Sequence, residues 1–150
     1  MPVYGIGLPR TGTKTLAQSL RVLGYCGTSN CVLTGHRTSD VGDPKKPFMV
    51  NNSSYQYLEI LYKRHPHDKY ILSTRDDQDW INSARTFEKY ESLDLPLPSE
   101  YLATVRKLIP EEQLLVLNIL SEDPRELWKK ICGFLDEAVP NDHFPIPSCD

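Results

Sequence analysis

Long hydrophobic runs are missing from this sequence: no stretch approaches the roughly 18 to 20 apolar residues that a bilayer-spanning helix needs. Met1 leads straight into a strand-like segment, without the charged and then apolar pattern of an export signal, so a cytoplasmic protein is expected. Cysteine is scarce. The four present, Cys26, Cys31, Cys132 and Cys149, form no C-x-x-C pair, which argues against a zinc ribbon or a disulfide framework and predicts free thiols and no metal. An excess of positive charge is also lacking: 17 Lys and Arg face 20 Asp and Glu, for a net charge of -3. A nucleic-acid surface is therefore not expected, and any anion site has to be local. Internal repeats and low-complexity stretches are absent. What is present is an ordinary globular composition, 39% hydrophobic and 25% charged over 150 residues, enough for one core and a single domain, 1–150.

Along the chain, apolar segments alternate with amphipathic ones. Val3 to Leu8 reads as a buried strand broken by Gly5 and Gly7. Past a loop at Pro9 to Thr13, Leu16, Leu20 and Leu23 fall at helical spacing and Gly24 supplies a stop. Tyr25 to Pro47 has no sustained period and reads as a long surface loop. Phe48 to Asn51 is a second strand, and Ser53-x-x-Gln56 has the form of a capping box opening a helix with Tyr55, Leu58, Leu61 and Tyr62, ended by Pro66. Tyr70 to Thr74 is a third strand, followed by a helix capped by Asp76 or Asp77 and carrying Trp80, Ile81, Ala84 and Phe87 on one face. A helix from about Ser99 to Leu108 precedes a fourth strand, Leu114 to Ile119. Asp123-Pro124 then opens a last helix with Leu127, Ile131, Phe134 and Leu135 inward, and a proline-rich tail begins at Val139. This alternation predicts an α/β fold: a parallel sheet of about four strands with helices on both faces, of P-loop type, the first strand central.

The chemistry concentrates where the first strand hands over to the first helix. In Gly7-Leu8-Pro9-Arg10-Thr11-Gly12-Thr13-Lys14-Thr15 the backbone N–H groups approach the positive end of a helix, so the loop can cradle an anion. Gly12 allows close approach, Thr11, Thr13 and Thr15 can add hydroxyl donors, and Arg10 and Lys14 bring charge. A nucleoside-triphosphatase loop places Lys directly after the second Gly. Here Thr13 intervenes before Lys14, and no strand ends in a clear Mg²⁺-binding aspartate; Asp76 could serve only by departing from that pattern.

Arg10-Thr11-Gly12-Thr13 in this context resembles the phosphosulfate loop of sulfotransferases that use 3'-phosphoadenosine 5'-phosphosulfate (PAPS). Tyr70 to Asp76 with Ser83, eight residues after Arg75, resembles the same family's 3'-phosphate motif. The run Leu114 to Leu117 with Trp128, Cys132, Phe134-Leu135, Val139-Pro140 and Phe144-Pro145 is similar to the C-terminal segment of a small-sulfotransferase branch. The resemblance implies a short family member that moves a sulfuryl group from PAPS, without a metal, to a hydroxyl or amine of a small-molecule or glycan acceptor. Cofactor contacts are implied for Arg10, Thr11, Gly12, Thr13, Lys14, Thr15, Arg75 and Ser83. Arg75 suits a planar two-pronged contact to phosphate, with the Ser83 hydroxyl closing the other side. Trp80 sits at helical spacing with core residues, so packing is favoured over adenine stacking.

Two departures stand out. Thr15 and Leu16 replace the aromatic residue that often follows the loop, and Asn51-Asn52 stands where the related branch carries an aspartate. Arg10 is the candidate to stabilise the leaving phosphate oxygen. For a base only His36, or behind it Asp40 or Asp43, is available in the long segment; His65, His67 and His143 flank prolines or charges. Little chain lies between the third and fourth strands to build an acceptor site, so residues 25–49 or a second copy in a homodimer could complete it. The competing readings are a P-loop small-molecule kinase using ATP and Mg²⁺, and a non-catalytic nucleotide-binding module.

Overall fold

The computed structural model describes residues 2–35, 37–39 and 42–147. In chain order the elements are β1 (Val3–Gly5), α1 (Thr13–Val22), β2 (Tyr25–Asn30), β3 (Arg37–Ser39), β4 (Asp43–Asn51), α2 (Leu58–Arg64), β5 (Lys69–Ser73), α3 (Asp77–Ala84), α4 (Pro98–Leu108), β6 (Leu114–Leu117) and α5 (Pro124–Leu135). One six-stranded sheet runs β3-β2-β4-β1-β5-β6. Every pairing is parallel except β2 with β3 at the edge. The α/β class holds, with β1 inside the sheet between β4 and β5.

The segment read as a loop from Tyr25 to Pro47 instead contains β2, β3 and the first half of β4, which corrects that expectation. Its residues have weak intrinsic strand preference, and pairing with β4 supplies what propensity does not. Gly27 shows the cost: a side chain there would meet the Phe48 carbonyl oxygen at 1.8 Å. The pairing is irregular where the prolines fall. Tyr25 faces Asp43 but Cys26 faces Pro47, so Pro44 to Lys46 bulge out and Pro47 enters just before the regular ladder of Phe48 to Val50 on β1.

Alternation along the strands divides the core into two layers. Val3, Phe48, Val50, Ile71 and Leu117 pack with Leu16, Ala17 and Leu20 of α1 and with Leu127, Trp128 and Ile131 of α5. Tyr4, Ile6, Tyr70 and Leu72 pack on the other face with Leu58 and Leu61 of α2, Trp80 and Ala84 of α3, and Tyr101 and Val105 of α4. Period-2 side chains thus cover both faces of the sheet with helices.

Helix starts follow the sequence in part. Asp76 caps α3 by accepting from the Asp79 N–H at 3.1 Å, and Asp123 caps α5 by accepting from Arg125. The expected capping box at Ser53 does not form. Ser53 Oγ donates to Asn51 Oδ1, Ser54 to Gln56 make a short 3-10 turn, and α2 starts only at Leu58.

Adjacent strands β1 and β4 send their next helices to opposite faces, α1 to one and α2 to the other. In an open parallel sheet that divergence leaves a crevice at the carboxyl ends of the two strands, where ligands bind.

Candidate active site

A cavity of about 470 Å³ lies at that crevice. Its lining includes Arg10, Gly12, Thr13, Lys14 and Thr15 from the loop and first turn after β1, Asn52 after β4, and Arg75 after β5. The volume is in the range of pockets that hold a small organic ligand.

The shape of the first loop is set from outside. Tyr101 Oη on α4 donates to the Ile6 carbonyl at 2.7 Å, Thr11 Oγ1 to the Leu8 carbonyl at 2.6 Å, Trp80 Nε1 on α3 to the Pro9 carbonyl at 2.7 Å, and Arg75 Nη1 to the Arg10 carbonyl at 3.1 Å. With these acceptors tied down, α1 begins at Gly12, which serves as its N-cap residue without a side-chain cap. The first-turn N–H groups of α1 therefore have no capping side chain beside the cavity, as an anion cradle requires. Gly12 has φ 89°, and a side chain there would also press on Ile119 at 3.0 Å, so glycine is required on both counts.

Each residue expected to contact the cofactor has a definite place. Gly12, Thr13, Lys14 and Thr15 line the cavity. The hydroxyl of Thr11 is fully buried and shared with Leu8 and, at 2.8 Å, Ser73 Oγ, so its role there is to brace the loop. Arg10, at φ 65°, lines the cavity while its Nε donates to Ser83 Oγ at 2.8 Å and its guanidinium lies 5.0 Å over the Phe87 ring. Since Arg75 reaches the Arg10 carbonyl, the first loop, Arg75 and Ser83 form one connected group, although Ser83 itself touches the ligand space only through Arg10. Trp80 is buried at 1% exposure and holds the loop instead of facing the cavity.

The base candidates fare differently. His36 and Asp40 lie outside the described residues. Asp43 starts β4 at the end opposite the crevice: it faces Tyr25 on β2 whereas Asn51 faces Asn30, five residues on, which sets it roughly 17 Å from Asn51 at about 3.3 Å per residue, so it cannot reach. Asn51 spends its side chain on Tyr57 and Ser53. Among the described residues no group of His, Cys, Asp and Glu could hold a metal ion, and no helix is long and apolar enough to cross a membrane.

The sequence pattern did not point to the opposite wall, formed by Ser29, Asn30, Cys31 and Thr34 at and beyond the end of β2, with Leu120 and Pro147 from the C-terminal part. Recognising Tyr25 to Asn30 as a parallel strand next to β4 would have placed its carboxyl end beside the loop.

Residues 96–147 match a family described as a sulfotransferase domain. Over that stretch, about a third of the chain, it is similar to sulfotransferases. The matched stretch holds α4, β6, α5 and the start of the tail, and it meets the loop directly: Ile119 backs Gly12, Tyr101 holds Ile6, and Leu120 and Pro147 border the cavity. β6 is tied to the end of β5 by the Thr74 N–H donating to the Leu117 carbonyl at 2.8 Å. No curated protein matches the chain.

Proposed function

We propose that this chain moves the sulfuryl group of PAPS in line to a hydroxyl or amine of a small-molecule or glycan acceptor. Sulfuryl transfer is the chemistry of the family that residues 96–147 match, which supports the reading; its extension to this chain, the donor and the class of acceptor are ours. The observation that carries it is the connected group of Arg10, Arg75 and Ser83 beside an uncapped helix start. A donor with one phosphate on the 5' side and another at the 3' position needs two neighbouring cationic points held at fixed separation, and this group offers them. The cavity volume and the three cations lining it, Arg10, Lys14 and Arg75, fit such a ligand.

In this reading the N–H groups of 11–14 and Lys14 hold the sulfated phosphate, and Arg10 stabilises charge on the leaving oxygen as it develops. Arg75 holds the 3'-phosphate, with Ser83 fixing Arg10 next to it. His36 is the proposed proton acceptor: His36→Ala is expected to cost about 10² in turnover and to remove an acidic limb near pH 6 to 7 from the rate profile. A homodimer completing the acceptor side remains part of the proposal.

The test compares two ligands. Arg75→Ala is expected to weaken PAPS binding by about 10- to 100-fold, the loss of one charge-assisted contact, while changing ATP binding little. Equal losses for PAPS and ATP in calorimetric titrations would show that Arg75 only supports the Arg10 carbonyl, and the 3'-phosphate assignment would fall.

A further inference from the structure

The cavity wall opposite the anion loop contains a thiol. Cys31 directly follows β2 and is half-buried at the cavity surface. A turn wraps around it, closed by the Gly35 N–H donating to the Cys31 carbonyl at 2.8 Å. Next to it stands Asn52, 1% exposed and lining the same cavity. Asn52 Oδ1 accepts from the Val32 N–H at 2.7 Å, which fixes the amide plane, yet Nδ2 has no partner at hydrogen-bond geometry. A buried donor left over beside a thiol is what a thiolate, or a group attached to that sulfur, would satisfy.

The electrostatics agree. Burial pushes the Cys31 thiol up, but the Thr34 hydroxyl, the Asn52 amide and the N–H groups of Thr34 and Leu33 favour the anion and bring it below the ordinary thiol range. The charged groups lining the cavity, Arg10, Lys14 and Arg75, are all cations, and no carboxylate lines it among the described residues. Cys132 is the contrast: it is buried at 2% exposure, and burial followed by Glu137 raises its thiol.

We propose that Cys31 is a covalent modification site that takes low-molecular-weight disulfides and so closes the anion cavity. The Cys31 sulfur attacks one sulfur of the disulfide, a new S–S bond forms, the original one breaks, and the second half leaves as a thiolate, with no outside oxidant. The attached half occupies the space in front of Gly12 to Thr15. The proposal rests on the cavity and its anion loop, and not on PAPS as donor.

The full chain is treated with oxidised glutathione at neutral pH, and adducts are located by peptide mass spectrometry. Cys31 is expected to react at least about tenfold faster than Cys132, as a thiol of lower pKa and greater access should. Inorganic pyrophosphate is expected to slow it. Thr34→Val, at an exposed position, is expected to slow the reaction and to move its pH midpoint upward. The adduct is expected to lose pyrophosphate binding in calorimetry and regain it with dithiothreitol, whereas Cys31→Ser binds pyrophosphate with or without treatment. Reaction at Cys31 no faster than at Cys132, or unchanged pyrophosphate affinity in the adduct, overturns the proposal. A chain that binds pyrophosphate in no state sinks the anion-loop reading and the occlusion with it, while the relative rate at Cys31 still decides whether the thiol is the reactive one.

Discussion

Arg10 joins three roles at one position. Its carbonyl accepts from Arg75, its Nε donates to Ser83, and its guanidinium lies at the cavity over Phe87. Because the anchoring contact to Arg75 uses the backbone, Arg10→Ala leaves that contact in place and removes the cation together with its hydrogen bond to Ser83 and its contact with Phe87. If that cation stabilises the leaving phosphate oxygen, the variant should lose about 10² to 10³ in turnover, the cost typical of a lost charge-stabilising donor, with a smaller loss in PAPS affinity. Release of 3'-phosphoadenosine 5'-phosphate with a simple phenol as acceptor measures it. Turnover that falls no further than affinity would mean that Arg10 serves binding alone. Arg10→Lys should recover part of the rate, since it keeps the charge and loses the planar fork.

Among the elements, α3 decides between two readings of Asp76. The residue directly follows Arg75, where a metal-binding carboxylate of a kinase could be sought, but its side chain accepts from the Asp79 N–H and starts the helix that carries Trp80 and Ser83. As a cap, Asp76→Ala should cost about 1 kcal/mol in a denaturant titration, whereas Asp76→Asn, also a good cap, should cost a few tenths at most. PAPS binding should be unchanged in Asp76→Asn. If Asp76 held Mg²⁺ for ATP, the asparagine variant would keep the helix yet lose Mg²⁺-dependent ATP binding.

On the scale of the whole molecule, three tyrosines are buried in the two layers, Tyr25 in one and Tyr70 and Tyr101 in the other. Tyr25 is pushed up to about 12 by burial and then by the Glu137 carboxylate, and burial also raises Tyr70 and Tyr101. In the unfolded chain these phenols ionise near pH 10, so between roughly pH 10 and 12 the unfolded state binds fewer protons than the folded one. Stability should therefore be flat below about pH 9 and fall as pH rises through this window. Urea midpoints followed by circular dichroism from about pH 8 to 12 test this, and Tyr25→Phe should make the fall shallower. A midpoint constant to pH 12 would mean that these phenols titrate as freely in the folded state as in the unfolded chain.

What the sequence determined by itself is local. Short apolar runs defined β1, β5, β6 and the regular part of β4; helical spacing defined α1, α3 and α5; and Arg10 to Thr15, Arg75 and Ser83 stood out because short motifs carry their chemistry in adjacent or helix-spaced residues. Only the tertiary structure decided the features that depend on pairing over distance. β2 is a strand because β4 lies beside it and because Gly27 can approach Phe48, a fact absent from its own weak propensity. The far wall of the cavity, with Cys31 and Asn52, comes from two strand ends separated in sequence and adjacent in the sheet. Thr11 braces the loop instead of facing the ligand because Leu8 and Ser73 take its hydroxyl, and a hydroxyl's partner is a property of the packing around it, which no spacing along the chain encodes.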